Sequence, residues 1–203
     1  MTAQTPDPPA DGSSRTRAKA DRRTALLEAA ARLFAENGFA QVSLEELGAA
    51  VGVSGPAVYR HFASKQAVLA ALLIGVSESL LAGGRAVIAQ QAPAAVTLRA
   101  LIDFHVDFAV RDPDVIRVHD RDLHSLSDDS RHTVRELQRR YSELWVDVAA
   151  ELRTETRQEL RVRVQAIFGL INSTPHTASG IAGDSLRALL SDMALAASLS
   201  ASQ

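Results

Sequence analysis

Apolar side chains recur along this chain at spacings of three and four, and almost nowhere in simple alternation. That period puts them on one stripe of a helix, because an α-helix repeats every 3.6 residues whereas a strand alternates its faces. Leu26, Leu27, Ala30, Leu33 and Phe34 form the first stripe, and Asn37-Gly38 ends it, since glycine accepts the positive φ of a helix stop. Ser43 and Glu46 have the spacing of a capping box, which predicts a short second helix ending near Gly52. Ser54 is placed to cap a short third helix with Gly55-Pro56 in its first turn, and Ser64 a long fourth one to about Gln90, weakened at Gly83-Gly84. Pro93 breaks the pattern. Beyond it, helices are predicted over about 94–111, 113–123 and 131–153. Another is opened by the Thr156-x-x-Glu159 capping box and runs to about 174, and a last one covers about 184–199 after a turn at Pro175 and 180–183. The expectation is an all-α protein of about nine helices, without internal repeats.

Composition narrows the chemistry. The chain has 203 residues, 46% hydrophobic and 23% charged, enough to bury a core and remain soluble. The absence of cysteine removes disulfides, thiolate metal sites and a cysteine nucleophile, and it fits a reducing cytosol. The longest apolar run, residues 67–76, is half of the roughly 20 residues a membrane span needs, so a buried helix and no membrane segment is expected there. Residues 1–14 are polar and Pro-rich with no apolar core of a signal peptide. A disordered tail and a cytoplasmic protein are the expectations. The net charge of −2 argues at first against a polyanionic partner. Its distribution matters more, because Arg15, Arg17, Lys19, Arg22 and Arg23 face one acid, Asp21. Such a stretch is either a solvated lead-in to a helix or an arm that touches phosphates.

Three short helices and a long one, joined by tight turns, make a helix-turn-helix plan. Leu47-Gly48-x-x-x-Gly52-Val53-Ser54, then Val58-Tyr59-Arg60-His61-Phe62 and Ser64-Lys65, preceded by Leu33-Phe34-x-x-x-Gly38-Phe39, closely resemble the DNA-binding motif of TetR/AcrR-family transcriptional regulators. The resemblance covers about residues 20–70; farther on only the helical plan is similar. One departure is Gly55-Pro56, where such motifs often carry a lysine or other polar residue first, which removes a possible phosphate or base contact. The residues make physical sense in that role. Gly48 is small where two helices cross, and Gly52 can turn the chain. Ser43 and Ser54 sit at helix N-termini, where free N–H groups attract phosphate, although plain capping explains them equally. Tyr59 offers a hydroxyl on an aromatic body and Lys65 a point charge. The candidate DNA contacts are therefore Arg22, Arg23, Ser43, Ser54, Gly55, Pro56, Tyr59, Arg60, His61 and Lys65.

The resemblance also implies a plan for the remainder: a DNA-reading domain over 15–66 and a helical regulatory and dimerisation domain over 67–203. It implies a homodimer whose last two helices pair across a two-fold as a four-helix bundle. Ile167, Leu170, Leu186, Leu189, Leu190 and Met193 are the candidates, being more apolar residues than one core face requires. It implies an inducer pocket among the central helices, where Phe104, His105, Phe108, Tyr141, Trp145, Phe168 and Asn172 combine apolar area with a few polar groups. The expected protein is a repressor, not an enzyme. Its partners would be a double-stranded DNA operator and a small, largely apolar ligand, without a cofactor or resident metal. A different class is permitted by His105 and His119-Asp120, which could mimic helical metal-dependent phosphohydrolases, with His124 one turn beyond Asp120. The bland alternative is a solvated charged segment. A third class, a helical adaptor without DNA binding, is opposed by Tyr59, Lys65 and the basic arm. No nucleophile elbow, P-loop or dinucleotide fingerprint occurs.

Overall fold

A computed structural model describes residues 11–177 and 180–200, with side chains from 14 to 175 and from 180 onward. Its helices are α1 Asp11–Asn37, α2 Leu44–Ala50, α3 Gly55–Val58, α4 Lys65–Ile88, α5 Ala94–Arg111, α6 Pro113–Asp122, α7 Asp128–Ala150, α8 Arg157–Ile171, α9 Thr174–Thr177 and α10 Gly183–Leu199. Single 3-10 turns cover Phe39–Gln41 and Leu123–Ser125, and no strand occurs among the described residues. The all-α expectation therefore holds. Some boundaries differ. Residues 11–14, expected in a disordered tail, belong to α1, while 1–10 lie outside the described residues. α7 starts earlier than the apolar stripe suggests, because the Ser127 hydroxyl accepts from the Ser130 amide and Asp128 and Asp129 occupy the first turn, where the helix dipole favours acids. Pro175 sits inside the four-residue α9 rather than in a turn.

The local signals read from the sequence are present as geometry. Ser43 and Glu46 form a full capping box at α2, Thr156 and Glu159 another at α8, and the Ser64 hydroxyl accepts from Ala67 N. Gly38 and Gly52 have φ of 89° and 69°. Ser54 occupies the N-cap position of α3, yet its side chain makes no cap hydrogen bond.

Packing produces two cores. One joins α1, α2 and α3 to the first half of α4 through Leu26, Phe34, Leu47, Val58, Phe62, Val68 and Leu69, and is closed by Val115 and Val118 of α6 and Val134 of α7. The other holds the second half of α4 together with α5, α7, α8 and α10 around Leu101, Ile102, Trp145, Leu160 and Ile171. α4 is long and apolar enough to cross a membrane by composition, but its apolar residues pack into these two cores against α1, α5 and α7. The expected domain boundary after residue 66 falls at the start of this shared helix.

Gly48 is the tightest backbone position of the helix-turn-helix. A Cβ there would lie 2.8 Å from the Val53 carbonyl oxygen and 3.0 Å from Val58. Overpacking of this kind costs typically 1–3 kcal/mol, against a helix-propensity gain of about 1 kcal/mol on replacing glycine with alanine. Gly48→Ala is therefore expected to lower the melting temperature through a net loss of up to about 2 kcal/mol. Denaturation followed by circular dichroism that showed a gain in stability would contradict the close crossing of α2 and α3.

Candidate functional site

The basic arm and the end of the helix-turn-helix converge. Arg22 donates to Val51 O at 3.2 Å, and the Arg23 guanidinium lies 4.9 Å above the Phe62 ring. His61 is held below the usual histidine range, first by burial and then by the positive charges of Lys19, Arg22, Arg23 and Arg60. Its Nδ1 is buried without a partner. The α1 arm is thus folded onto the motif, and its cations share one electrostatic neighbourhood with Arg60. Ser54, Pro56, Tyr59 and Arg60 are exposed, Tyr59 at 53%. The free Ser54 hydroxyl is a donor for a phosphate oxygen.

Two expected phosphate donors are already engaged. The Ser43 hydroxyl donates to Glu46 Oε2 at 2.8 Å and accepts from the Glu46 amide; the Ser43 backbone N–H, at 2.7 Å from the same Oε2, and then this hydroxyl hold the Glu46 carboxyl below its ordinary range. Ser43 therefore carries an anion beside it and has no spare proton to donate. Lys65 donates to Ala40 O at 3.0 Å and sits 4.6 Å from the Phe39 ring centroid, so it ties α4 to the turn before α2. Two of its three protons remain free for an outside acceptor. Gly55 is half-buried against the Glu45 side chain.

A cavity of about 600 Å³ lies in the helical half, bounded by α4, α5, α6, α7 and α8. Of the residues named from the sequence for a ligand pocket, His105, Phe108, Tyr141, Phe168 and Asn172 line it. Phe104 and Trp145 do not. Phe104 points at Gly83 of α4, where a Cβ would collide with its ring, and Trp145 is wholly buried behind the wall, its ring centroid 5.0 Å from that of Phe168 in an edge-on arrangement. Sequence reasoning missed the α4 lining (Leu73, Val76, Ser77 and Leu80) and the α6 lining (Val115, Ile116). It also missed Gln138, whose amide meets His119 Nε2 at 2.8 Å on the cavity wall. The polar residue of an otherwise apolar stripe was the one available signal for Gln138.

At the inner wall Tyr141 stacks on Phe168 at 5.6 Å with the rings 3° from parallel, and the Tyr141 hydroxyl meets His105 Nδ1 at 3.3 Å. Burial lowers the His105 imidazole to about 4, against the opposing pull of the Asn172 amide, and the same burial pushes the Tyr141 hydroxyl up. Among the described residues, the candidate ligands His105, His119 and Asp120 do not form one metal-binding group. His105 is in this aromatic cluster, His119 pairs with Asp120 and Gln138, and no group of three or more metal-binding side chains occurs among the described residues.

The residues expected at a dimer interface divide into two groups. Ile167, Leu186 and Leu190 are 3–6% exposed and belong to the core of the subunit, so they have no surface to offer a second chain. Leu170 is half-buried, while Leu189 and Met193 are 49% and 47% exposed.

The description "bacterial regulatory proteins, tetR family" belongs to a family model that matches residues 26–72, and one for the tetracyclin-repressor-like C-terminal domain matches residues 91–176. The HTH-type transcriptional repressor KstR2 of Rhodococcus jostii is 30% identical over 142 residues, which are 70% of this chain and 68% of that protein. The chain belongs to the TetR family. It is thus a helix-turn-helix, DNA-binding transcriptional regulator and not an enzyme. The nucleoid occlusion factor SlmA of Marinobacter nauticus is 29% identical over 159 residues, covering 76% of this chain and 78% of that protein. In fold, the chain resembles a TetR-family transcriptional regulator from Bordetella parapertussis with a TM-score of 0.75 at 24% identity, over 85% of this chain and 93% of the other. The second TetR-family match spans α5, α6 and most of the cavity wall, and the first spans the convergence of α2, α3 and the start of α4.

The buried imidazole has a consequence for stability. His105 takes a proton readily when unfolded, near its ordinary 6.5, but only near 4 when folded. The unfolded chain therefore binds more protons in that window, and stability is lost as the pH falls from about 6.5 to 4. A shift of this size corresponds to about 3 kcal/mol at full extent. Urea unfolding at neutral and mildly acidic pH should show this loss, and His105→Leu should flatten that part of the profile. An equally steep profile in the variant would assign the acid sensitivity to other groups.

Proposed function

We propose that this TetR-family protein is a homodimeric repressor released from its operator by a small, largely apolar ligand held in the α4–α8 cavity. The observation that carries this reading is the cavity itself, because its walls are not confined to the regulatory half. Leu73 of α4 and Val115 of α6 line it and are also members of the core of the DNA-reading half. A molecule that fills the space must press on the helices that carry the motif. Ligand control requires that the two spacings of the DNA-reading halves differ in ligand affinity, and linkage then makes operator DNA weaken ligand binding by the same factor. A repressor role is supported by the similarity to KstR2, itself described as a transcriptional repressor.

The proposed contacts to DNA are Ser54, Tyr59 and Arg60, with Arg22, Arg23 and the free protons of Lys65 beside them. Selection from a random duplex pool should recover a two-fold related sequence, as expected when half-site spacing mirrors protein symmetry. Arg60→Ala should weaken binding across sequences and lower the slope of log affinity against log salt by about one unit. Failure to enrich any duplex over random DNA would sink the operator reading, and an unchanged slope would take Arg60 off the contact surface.

The proposed dimer surface is the outer face of α8 and α10. Val162, Ala166 and Leu170 follow one another at four-residue spacing on α8, with Val162 67% exposed, and Leu189 and Met193 do so on α10. The two helices pack side by side, so two copies of this face can close a four-helix bundle. Leu189→Arg and Met193→Arg should yield folded monomers in light scattering, because the charge would be unpaired only in the dimer. Ile167→Arg should instead unfold the subunit. A stable dimer in both α10 variants would place the interface elsewhere.

A further inference from the structure

The inner end of the cavity carries an unfinished hydrogen-bond arrangement. His105 and Asn172 both line the space, and each leaves one buried polar atom without a partner, Nε2 and Oδ1. The other imidazole nitrogen is engaged with the Tyr141 hydroxyl at 3.3 Å. Asn172 lies near enough to favour the protonated form of His105, yet no hydrogen bond of good geometry joins them. Buried polar groups in proteins are almost always satisfied, so a pair facing a cavity asks for a third group that completes both.

The surroundings define what that group is. Phe108, Phe168 and the Tyr141 ring supply an apolar enclosure, with ring centroids 4.8–5.8 Å from His105. Burial acts on the two titratable groups in opposite directions, keeping His105 uncharged and Tyr141 protonated. An environment that resists an imidazolium and a phenolate alike also resists an ammonium or a carboxylate. Of the charged lining residues, Asp120, Arg135, Arg139 and Arg161 are exposed, and the half-buried Glu143 is paired with Arg157 and Arg161, so the charges of the lining lie at the solvent edge or are already matched within the protein. A neutral group that both donates and accepts is left, and a hydroxyl is the simplest one.

We propose that the His105–Asn172 end of the cavity recognises a hydroxyl group carried on an otherwise apolar ligand: with the Tyr141 hydroxyl donating to His105 Nδ1, the His105 Nε2–H donates to the alcohol oxygen and the alcohol O–H donates to Asn172 Oδ1. This rests on the reading of the cavity as the ligand site and narrows the class of molecule it takes. Sites built to hydrogen-bond a hydroxyl discriminate strongly against the analogue lacking it, because their own polar atoms are then left unpaired.

The test uses three bicyclic probes of one shape: decahydro-2-naphthol, 2-methyldecahydronaphthalene and decahydro-2-naphthoate. Binding to the full-length protein is read by calorimetry and by the fluorescence of Trp145, the only tryptophan, whose ring packs against Phe168 of the wall. The alcohol should bind at least ten-fold more tightly than either relative. Asn172→Leu should remove that preference while keeping the affinity for the methyl compound, which shows that the cavity is intact. A methyl compound that binds wild-type protein as well as the alcohol would overturn the proposal, as would a carboxylate that binds best, and neither result depends on a variant folding. A ten-fold preference that survived in Asn172→Leu would overturn the role of Asn172. If none of the three probes binds, the cavity is not a ligand site and both readings fall together; binding without selectivity removes this inference alone.

Discussion

Almost everything else in the structure depends on one helix being shared by two cores. The first half of α4 inserts Val68, Leu69, Leu72 and Leu73 into the DNA-reading half. Its middle, at Val76, Ser77 and Leu80, walls the cavity. Its last turns accept Phe104 at Gly83 and Tyr141 at Gly84 so closely that a Cβ would fall 2.1 Å and 2.8 Å from their rings. These rings seat the end of the helix in glycine notches, so α4 is held by close packing at both of its ends. α6 supplies a second link. Arg121 donates to the Ala35 carbonyl at 3.3 Å and to that of Phe34, and the buried Asp122 holds its guanidinium from behind. These are carbonyls of the last turn of α1, where that of Phe34 also accepts from the Gly38 amide at 2.8 Å. The regulatory half thus caps the helix that carries the basic arm, and this gives the proposed release a mechanical route.

Electrostatics divide the molecule by cause more than by sign. His61 and His105 both titrate low, His105 from desolvation, with the adjacent amide opposing it, and His61 from burial with a ring of cations added. The second pattern belongs to a surface prepared for an anion, the first to a cavity that excludes charge. Elsewhere the charged residues are structural. Arg161, and then Arg157, hold the Glu143 carboxyl down to about 2, but both guanidinium side chains are about half exposed, so solvent screens these pairs and they contribute little stability. The more enclosed cluster of Arg153, Glu155 and Arg163 has a different effect. Arg163 donates to Ala197 O at 2.6 Å and Arg153 to Ser198 O at 3.3 Å, so the group fastens α8 to the end of α10 and fixes the face proposed for dimerisation.

What could be read from the sequence was what a few neighbouring residues decide. The capping boxes at Ser43 and Thr156, the turns at Gly38 and Gly52 and the helix-turn-helix signature are local, and each occurs where its spacing places it. What could not be read was the direction a stripe faces. Leu186 and Leu190 point into the subunit while Leu189 and Met193 point out, on a helix whose polar Arg187 and Ser191 themselves turn to Asp107 and Asp103 of α5, so polarity did not mark the outer face. Phe104 and Trp145 were plausible cavity residues by type, but their places are set by a glycine on another helix and by three rings around the indole. Lys65 and Ser43 were correctly seen as polar groups at helix starts. Their partners, the Ala40 carbonyl and the Glu46 carboxylate, determine how much of each is left for DNA.

In the homodimer proposed above, the small size of each reading head explains why control by spacing would suffice. α3 has four residues, and its first two, Gly55 and Pro56, bring no side-chain donor. The exposed donors nearby are Ser54, Tyr59 and Arg60, and groups of this kind serve phosphates as readily as bases. One such motif has little with which to distinguish sequences. Discrimination then has to come from two motifs held at a fixed separation, because only the correct spacing lets both heads engage at once. A ligand need not break any protein–DNA contact to release such a dimer. It has only to favour, through α4 and α6, a separation that the duplex does not match, and a cavity whose walls are those two helices is suitably placed to do so.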